Sequence, residues 1–396
     1  MRRILLLVNA CLLSSMALAD APPLRGNIDL ELRTFTSDAL DARQADNHPS
    51  AALELELYHS WNEGDDAITL TPFGRVDQQD SQRTHGDLRE ANWLHVGDGW
   101  QARLGVGKVF WGAVESQHLV DIINQTDTLE GVDGEDKLGQ PMLNLVWLLG
   151  DGELSLFWLP YFREREFAGV DGRPRTQPRI DGGQSGYASG DEQCHQDFAL
   201  RWSTSLDSLD LALSHFHGTS REPQLALGTD GGGNPVLVPF YPIIDQSGLE
   251  LTAVQGDWLW KLEAIRREGF GATYHAAVGG FEYTLVGLGD SDLDLGLLLE
   301  YHWDERQRQA SSPFQNDTFA GMRLTFNDFQ SSELLAGVIY DNDTQARLGF
   351  VEASRRLGDN FKLSAELRLF AEQSPDDPLY SLRNDDFLQL NLAYYF

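Results

Sequence analysis

The amino-acid sequence predicts an all-β fold, a transmembrane antiparallel β-barrel of about 18 strands. Three observations lead to this prediction. Segments of about ten residues with alternating apolar and polar positions recur along the whole chain. Tight turns rich in Gly, Asp and Asn alternate with long loops. The chain also ends inside such a segment, at Phe396. Because a sheet in a bilayer must leave no edge unpaired, the last strand is expected to pair with the first.

The start of the chain predicts export. Arg2 and Arg3 precede an apolar run, and Ala17 and Ala19 form an A-x-A cleavage site before Asp20. We therefore expect residues 1–19 to be a signal peptide and residues 20–396 to form a single barrel domain. A lipoprotein cut at Cys11 is the alternative, which Asn9 and the short preceding run disfavour. Since only about six residues would precede the first strand, no N-terminal plug domain is expected.

Cleavage would leave Cys194 as the one cysteine, so no internal disulfide is predicted. The 61 acidic residues outnumber the 30 basic ones, for a formal charge of −31 that becomes about −33 without Arg2 and Arg3. This charge disfavours nucleic acid as a partner, because phosphate binding needs a basic surface. A solubilising surface explains the charge, and so do carboxylates that bind divalent cations together with anionic lipid headgroups. No other cofactor is expected.

The alternation predicts eighteen strands, an even number that returns both termini to the end with the short turns. The predicted strands are residues 26–35, 51–61, 67–76, 88–97, 100–110, 141–149, 152–160, 196–203, 208–217, 247–255, 257–266, 273–284, 292–302, 316–326, 331–341, 344–355, 360–371 and 385–396. A soluble sandwich is the alternative, but it would need facing sheets to bury every apolar face.

The last segment, "FLQLNLAYYF", places five apolar residues on one face: Leu388, Leu390, Leu392, Tyr394 and Phe396. It resembles the terminal strand of Gram-negative outer-membrane β-barrels of the porin class, which typically ends in Phe and is read by the barrel assembly machinery. The resemblance implies location in the outer membrane, among lipid and lipopolysaccharide. It also implies that the short turns are periplasmic and the long loops extracellular.

The third long loop, residues 111–140, is the candidate for a pore constriction. Val114, Leu119, Ile122 and Ile123 fall near helical spacing, which predicts a short helix lying against the barrel wall. Its other face would carry Glu115, Asp121, Asp127 and Glu130. In porins the third loop commonly folds inward, whereas a loop covering the mouth from outside is the alternative. The segment also resembles stretches of large Gram-negative barrel proteins of unassigned function, which implies no substrate.

The fourth long loop, residues 161–195, is basic in an otherwise acidic chain. It carries Arg163, Arg165, Arg173, Arg175 and Arg179, of which we assign the first four to the constriction. Arginines facing an acidic loop would create a transverse field that orients polar solutes. Alternatively, these arginines pair with loop carboxylates or lipid phosphates.

Strand positions predicted to face the lumen carry mixed charge with a slight acidic excess, which predicts a weak preference for cations. These positions are Asp29, Glu31, Arg33, Glu54, Glu56, Arg75, Arg103, Glu153, Arg201, Lys261, Glu263, Asp294, Glu300, Arg323, Arg347, Lys362, Glu366 and Arg368.

No catalytic site is predicted. His215 and His217 share the outward face of a strand with Leu213 and lack an oriented third partner. Asp133, Glu135 and Asp136 lack the ligand spacing of a calcium loop. We therefore expect a passive channel for small polar solutes. The rival hypotheses are a structural or adhesive barrel, a polysaccharide exporter with a lumen of one charge sign, and a barrel lipid hydrolase.

Overall fold

A computed structural model describes residues 24–396 of the chain, so the predicted signal peptide lies outside the described residues. The described chain is all-β, and its helical elements are 3₁₀ turns of three to five residues. Within residues 24–396 no helix is long and apolar enough to cross a membrane. Eighteen antiparallel strands form one closed sheet, which confirms the predicted barrel and its strand number.

The eighteen barrel strands are numbered together with three short strands that lie in the loops, β8, β11 and β12. In chain order the strands are β1 Arg25–Phe35, β2 Asn47–Trp61, β3 Asp66–Asp77, β4 His85–Gly97, β5 Trp100–Gly107, β6 Gln140–Leu149, β7 Gly152–Leu159, β8 Gly186–Tyr187, β9 Asp197–Leu206, β10 Leu209–Thr219, β11 Gln224–Thr229, β12 Pro235–Tyr241, β13 Ile243–Gln255, β14 Trp258–Gly269, β15 Gly271–Leu285, β16 Asp294–Asp304, β17 Asn316–Thr325, β18 Glu333–Asp341, β19 Arg347–Leu357, β20 Phe361–Ala371 and β21 Phe387–Tyr395.

The barrel closes between its first and last strands. Strand β1 pairs with both β2 and β21, with Asn27 opposite Tyr395 and Phe35 opposite Phe387. The ladder continues to the final residue, because the Gly26 N–H donates to the Phe396 carbonyl at 3.2 Å and the Phe396 N–H donates to the Gly26 carbonyl at 3.1 Å. No free edge therefore remains at the junction, as expected for a sheet in lipid.

The ends of the barrel differ as predicted. Connections at the end that carries both termini are short and use left-handed residues, such as Gly99, Gly150, Asp207 and Gly256. Most connections at the other end are long. They include loop 1 (residues 36–46), loop 3 (108–139), loop 4 (160–196) and the last loop (372–386).

The outer face is apolar and carries aromatic side chains near the short-turn end. Trp258 and Trp260 stack with ring centroids 5.6 Å apart, and Phe361 packs on Tyr394 at 5.0 Å. The five residues predicted as the assembly signal lie on this face, each with more than a third of its surface exposed. Aromatic girdles of this kind mark the interfaces of membrane barrels.

Three sequence predictions need correction here. A three-stranded sheet of β8, β11 and β12 lies in loops for which no strand is predicted, because these short strands pair with one another and not with the barrel. Several strands also begin earlier than predicted, such as β2 at Asn47, since polar residues continue the ladder beyond the apolar band. Arg347 was predicted to face the lumen, but it is exposed on the side of β19 opposite to the buried Phe350. The reason is that Ala346 points inward after Gln345, which has a left-handed backbone conformation.

Candidate functional site: a barrel interior divided by loop 3

Loop 3 lies inside the barrel, where two wall carboxylates hold its backbone. Glu263 on β14 accepts hydrogen bonds from the N–H groups of Ala113 (2.7 Å), Val114 (3.1 Å) and Val120 (3.2 Å). Glu300 on β16 accepts from the N–H groups of Glu115 (2.8 Å) and Ser116 (2.9 Å). Charge-assisted hydrogen bonds are stronger than neutral ones, so these carboxylates fix the loop to the wall.

The short helix predicted in loop 3 is wrong, because residues 108–139 contain turns and bends but no helix. A helix needs its N–H groups to reach carbonyls four residues earlier. Here side chains bind several of them: besides the bonds to Glu263 and Glu300, Val109 donates to Asn124 at 2.9 Å and Trp111 donates to Asp121 at 3.3 Å. The loop therefore takes an irregular path that the wall imposes.

One side of loop 3 packs into an apolar cluster. Val120, Ile122 and Ile123 are buried against inward-facing residues of β7, β10 and β13, among them Phe157 and Phe216. The cluster fills the part of the barrel between β6 and β15. Loop 3 is therefore part of the packed interior on this side.

Three of the four predicted acidic constriction residues are buried in ion pairs. Asp121 Oδ2 lies 3.0 Å from Lys137 Nζ, and Asp127 Oδ2 lies 2.6 Å from an Arg89 Nη atom. Glu130 binds Arg75 at 2.7 Å, and His85 lies 3.0 Å from its other oxygen. A carboxylate in such a setting holds the loop in place and is shielded from a passing solute.

Ionisation in loop 3 follows these contacts. Burial alone would raise the pKa of Glu130, but hydrogen bonds and charge from His85, Arg75 and Arg83 lower it to about 2. Burial alone would lower the pKa of His118, but Glu135, at 2.8 Å, and Glu263 raise it to about 10. Glu130 is therefore anionic and His118 cationic at neutral pH.

The opposite side of loop 3 borders an open cavity of about 810 Å³. The cavity extends from Glu333 and Ser354 at the short-turn end to Leu379 and Leu382 under the last loop. Glu115 is the predicted acidic residue that lines it, and the carboxylate lies 2.6 Å from Arg323 on β17.

The four predicted arginines separate into two pairs. Arg163 pairs with Asp87 on β4 at 2.8 Å, and Arg165 lines the cavity while it binds Gln125 of loop 3 at 3.2 Å. Arg173 and Arg175 lie in the loops instead, where they pair with Asp385 (2.6 Å) and Asp41 (2.7 Å). The structure thus places Arg163 and Arg165 beside loop 3, and it places Arg173 and Arg175 among the long loops above the barrel.

Arg173 joins three loops above the barrel. Its guanidinium also donates to the carbonyl oxygens of Ser37 in loop 1 (2.8 Å) and Asn384 in the last loop (2.6 Å), and lies over the Phe35 ring at 4.2 Å. Loop 4 starts between β7 and β9, whereas its partners flank β1 and β21. Loop 4 therefore crosses the mouth of the barrel.

The structure also locates the groups that sequence reasoning set aside or missed. Asp133 and Glu135 line the cavity, and Asp133 pairs with Arg368 on β20 at 2.8 Å. Their signal in the sequence was the acidic run of Asp133, Glu135 and Asp136, which was tested only for the spacing of a calcium loop. His215 and His217 lie exposed on the outer face, as predicted, and each has a nitrogen within 3.7 Å of Asp245.

One cluster in residues 24–396 has the geometry of a metal site. His85, Asp127 and Glu130 offer ligand atoms within 4.8 Å of one another. Arg75 and Arg89 already bind its two carboxylates, so a cation there would meet two guanidinium groups. The arrangement suits a structural charge network better than a metal.

Comparisons with known proteins find similarity in structure and none in sequence. No family model matches the chain, and no curated protein sequence matches it. The structure is similar to that of Wzi from Escherichia coli, described as an outer-membrane protein involved in group 1 capsule assembly and a carbohydrate-binding β-barrel. Its TM-score is 0.53 at 11% identity over 93% of this chain and 84% of Wzi. Mutants of the Rhodopseudomonas blastica porin align over 94% of this chain and 99% of theirs at 12% identity, with TM-scores of 0.45 and 0.46. The likeness to Wzi is one of fold: the chain is a closed, antiparallel 18-strand β-barrel.

Proposed function

We propose that the protein is a passive channel for small solutes in the outer membrane of a Gram-negative bacterium, without enzymatic activity. The observation that carries the proposal is the cavity beside loop 3, which extends over most of the barrel height. Barrels of sixteen to eighteen strands have room for such an aqueous path, and an inward loop narrows it. Glu115, Asp133 and Arg323 supply charge at the narrowed level.

We further propose a weak preference for cations. Six acidic residues line the cavity against four basic ones. The acidic residues are Glu115, Asp133, Glu135, Glu333, Glu352 and Glu366, and the basic residues are Arg165, Arg323, Lys362 and Arg368. A lumen of mixed charge argues against a polysaccharide exporter, for which we expect one sign throughout.

Planar-bilayer recording of the purified, reconstituted protein tests the proposal. We expect discrete conductance steps in KCl and a reversal potential displaced toward that of potassium in a salt gradient. Absence of steps at all applied voltages would refute the channel, and a reversal potential on the chloride side would refute the cation preference.

A carbohydrate-binding barrel with a closed mouth is the second candidate function. It is favoured by the path of loop 4 across the mouth and by a loop pocket of about 530 Å³. Tyr161, Gln82, Gln193 and Arg179 line this pocket, and aromatic, amide and guanidinium groups suit sugar hydroxyls. Wzi is itself described as carbohydrate-binding. Binding of purified capsular polysaccharides without conductance would favour this candidate.

Assembly and lipid partners complete the proposal. We propose that the barrel assembly machinery recognises the face formed by Leu388, Leu390, Leu392, Tyr394 and Phe396, and that lipopolysaccharide surrounds the extracellular half. Divalent cations at the acidic surface would bridge its phosphates. Deleting Phe396 removes its two backbone hydrogen bonds with Gly26. The deletion should lower the yield of heat-modifiable barrel in the outer membrane, and an unchanged yield would contradict recognition.

A further inference from the structure

One wall of the open cavity is apolar, which is unusual for a pore that passes polar solutes, since the interior of such barrels is polar. The wall lies on β18 and β19 and includes a side chain from the loop before β17. Its residues are Phe314, Leu335, Ile339, Leu348 and Phe350.

Aromatic rings at the apolar wall lie against glycines. Phe319 and Phe350 stack with centroids 5.9 Å apart and an interplanar angle of 8°. A Cβ atom at Gly321 would lie 2.6 Å from the Phe319 ring, and one at Gly337 would meet both rings. Phe319 is fully buried behind the wall.

Carboxylates follow the apolar residues directly toward the short-turn end. On β19 the inward positions run Leu348, Phe350 and Glu352, so a carboxylate lies two residues, about 7 Å, below a phenyl ring. Glu352 faces Glu366 across the β19–β20 pair. A solute whose apolar body rests on the wall thus places its end group between carboxylates.

Charge at this level favours a cationic end group. The Glu352 side chain is 41% exposed and the Glu366 side chain 22%, whereas their shared partner Arg368 is 6% exposed. From the other side, Asp133 of loop 3 forms a third ion pair with Arg368. One buried guanidinium therefore neutralises three carboxylates only in part. Lys362, a cavity-lining base that makes no ion pair within 4 Å among residues 24–396, is four residues from Glu366 toward the short-turn end.

We infer that this cavity selects amphipathic organic cations, molecules with an apolar or aromatic body and one ammonium group. The inference rests on the proposed channel and names its substrate class. A volume of about 810 Å³ accommodates a molecule of that size. The Phe314 ring also offers a cation–π contact to the ammonium group, whereas the Phe350 ring already lies under the Arg368 guanidinium at 5.1 Å.

Channel block in planar bilayers tests the inference with three probes. Benzyltrimethylammonium carries both features, tetramethylammonium lacks the apolar body, and benzenesulfonate reverses the charge. We expect benzyltrimethylammonium to reduce the KCl current at a concentration roughly tenfold or more below that needed for either other probe. Equal potency of the two cations would overturn the role of the wall, and equal potency of benzenesulfonate would overturn the charge preference.

Variants separate the wall from the rest of the channel. The double substitution Ile339→Ser with Leu348→Ser should abolish the advantage of benzyltrimethylammonium over tetramethylammonium, with block by each probe measured relative to the variant's own KCl current. Ser364→Ala, which also lines the cavity, is the matched control and should keep the advantage. If the double variant fails to assemble, Phe314→Ser in the loop gives the same test outside the strands. Retained selectivity in an assembled wall variant would overturn the inference, whereas absence of KCl conductance in the wild type would refute the proposed channel itself.

Discussion

The two sides of loop 3 face two different halves of the barrel. Toward β14 its backbone is tied to the buried Glu263, and its apolar side chains Val120, Ile122 and Ile123 pack into the wall. Toward β17 and β20 it makes ion pairs, Glu115 with Arg323 and Asp133 with Arg368, beside an open cavity. Burying each apolar side chain contributes about 1.5–3 kcal/mol, whereas partly exposed ion pairs contribute about 0–1 kcal/mol. The same loop is therefore packed into the interior in one half and borders the open cavity in the other.

Removing the loop should have the largest effect, because it abolishes the difference between the halves. Shortening residues 115–136 should raise single-channel conductance severalfold, since the filled half then opens to water. Deleting residues 227–234, the tip of the β11–β12 hairpin, is the control and should leave conductance unchanged. Equal conductance of the shortened variant and the wild type would show that the loop does not narrow the path.

Two glutamates of the loop should separate stability from selectivity. Glu130→Gln removes one of the two carboxylates that bind the buried Arg75, with Glu31 remaining, and should lower the free energy of unfolding by about 1–3 kcal/mol. Glu115→Gln, at the cavity, should change it by less than about 1 kcal/mol and should reduce the preference for potassium. Denaturant unfolding in detergent and reversal potentials provide the two measurements. A similar loss of stability in both variants would contradict the division of the loop.

Apolar residues on the two sides of the loop provide a second matched pair. Ile123→Ala creates a cavity in the filled half and should lower the free energy of unfolding by about 2–5 kcal/mol. Val132→Ala, on the cavity side, should cost less than about 0.5 kcal/mol because this side chain is already 39% exposed. Thermal unfolding of both variants measures the two losses of stability. A larger loss in Val132→Ala than in Ile123→Ala would contradict the division of the loop.

The smallest expected effect is a pH dependence of the loop attachment, because the Glu135 side chain that binds His118 is 54% exposed and water screens the pair. The folded pKa of His118, about 10, exceeds its ordinary value of 6.5. Its contribution to stability is therefore fully present below pH 6.5 and is lost as pH rises toward and through 10. Wild-type protein should lose stability relative to His118→Gln over that interval. Parallel stability curves for the two proteins would indicate that His118 does not titrate with folding.

Much of the barrel was predictable because the responsible interactions are local. The two-residue alternation placed all eighteen barrel strands, and residues such as Gly99, Gly150 and Asp207 located tight turns through their left-handed backbone. The same two-residue alternation predicted that the apolar residues from Leu388 to Phe396 share one face of the last strand. The end with the long loops was also predictable, since loop length is read directly from the chain.

The interior depended on contacts between residues far apart in the chain. Helical spacing in loop 3 predicted a helix, but Glu263 and Glu300 bind its N–H groups from about 140 to 190 residues away, and local spacing carries no record of them. Likewise Asp127 and Glu130 were predicted to line the pore, but Arg89 and Arg75 bind them in buried ion pairs. Alternation along the chain determined which way strand residues face. Only the tertiary structure decided which charges meet one another and which meet the cavity, because pairing depends on where the closed sheet brings distant side chains together.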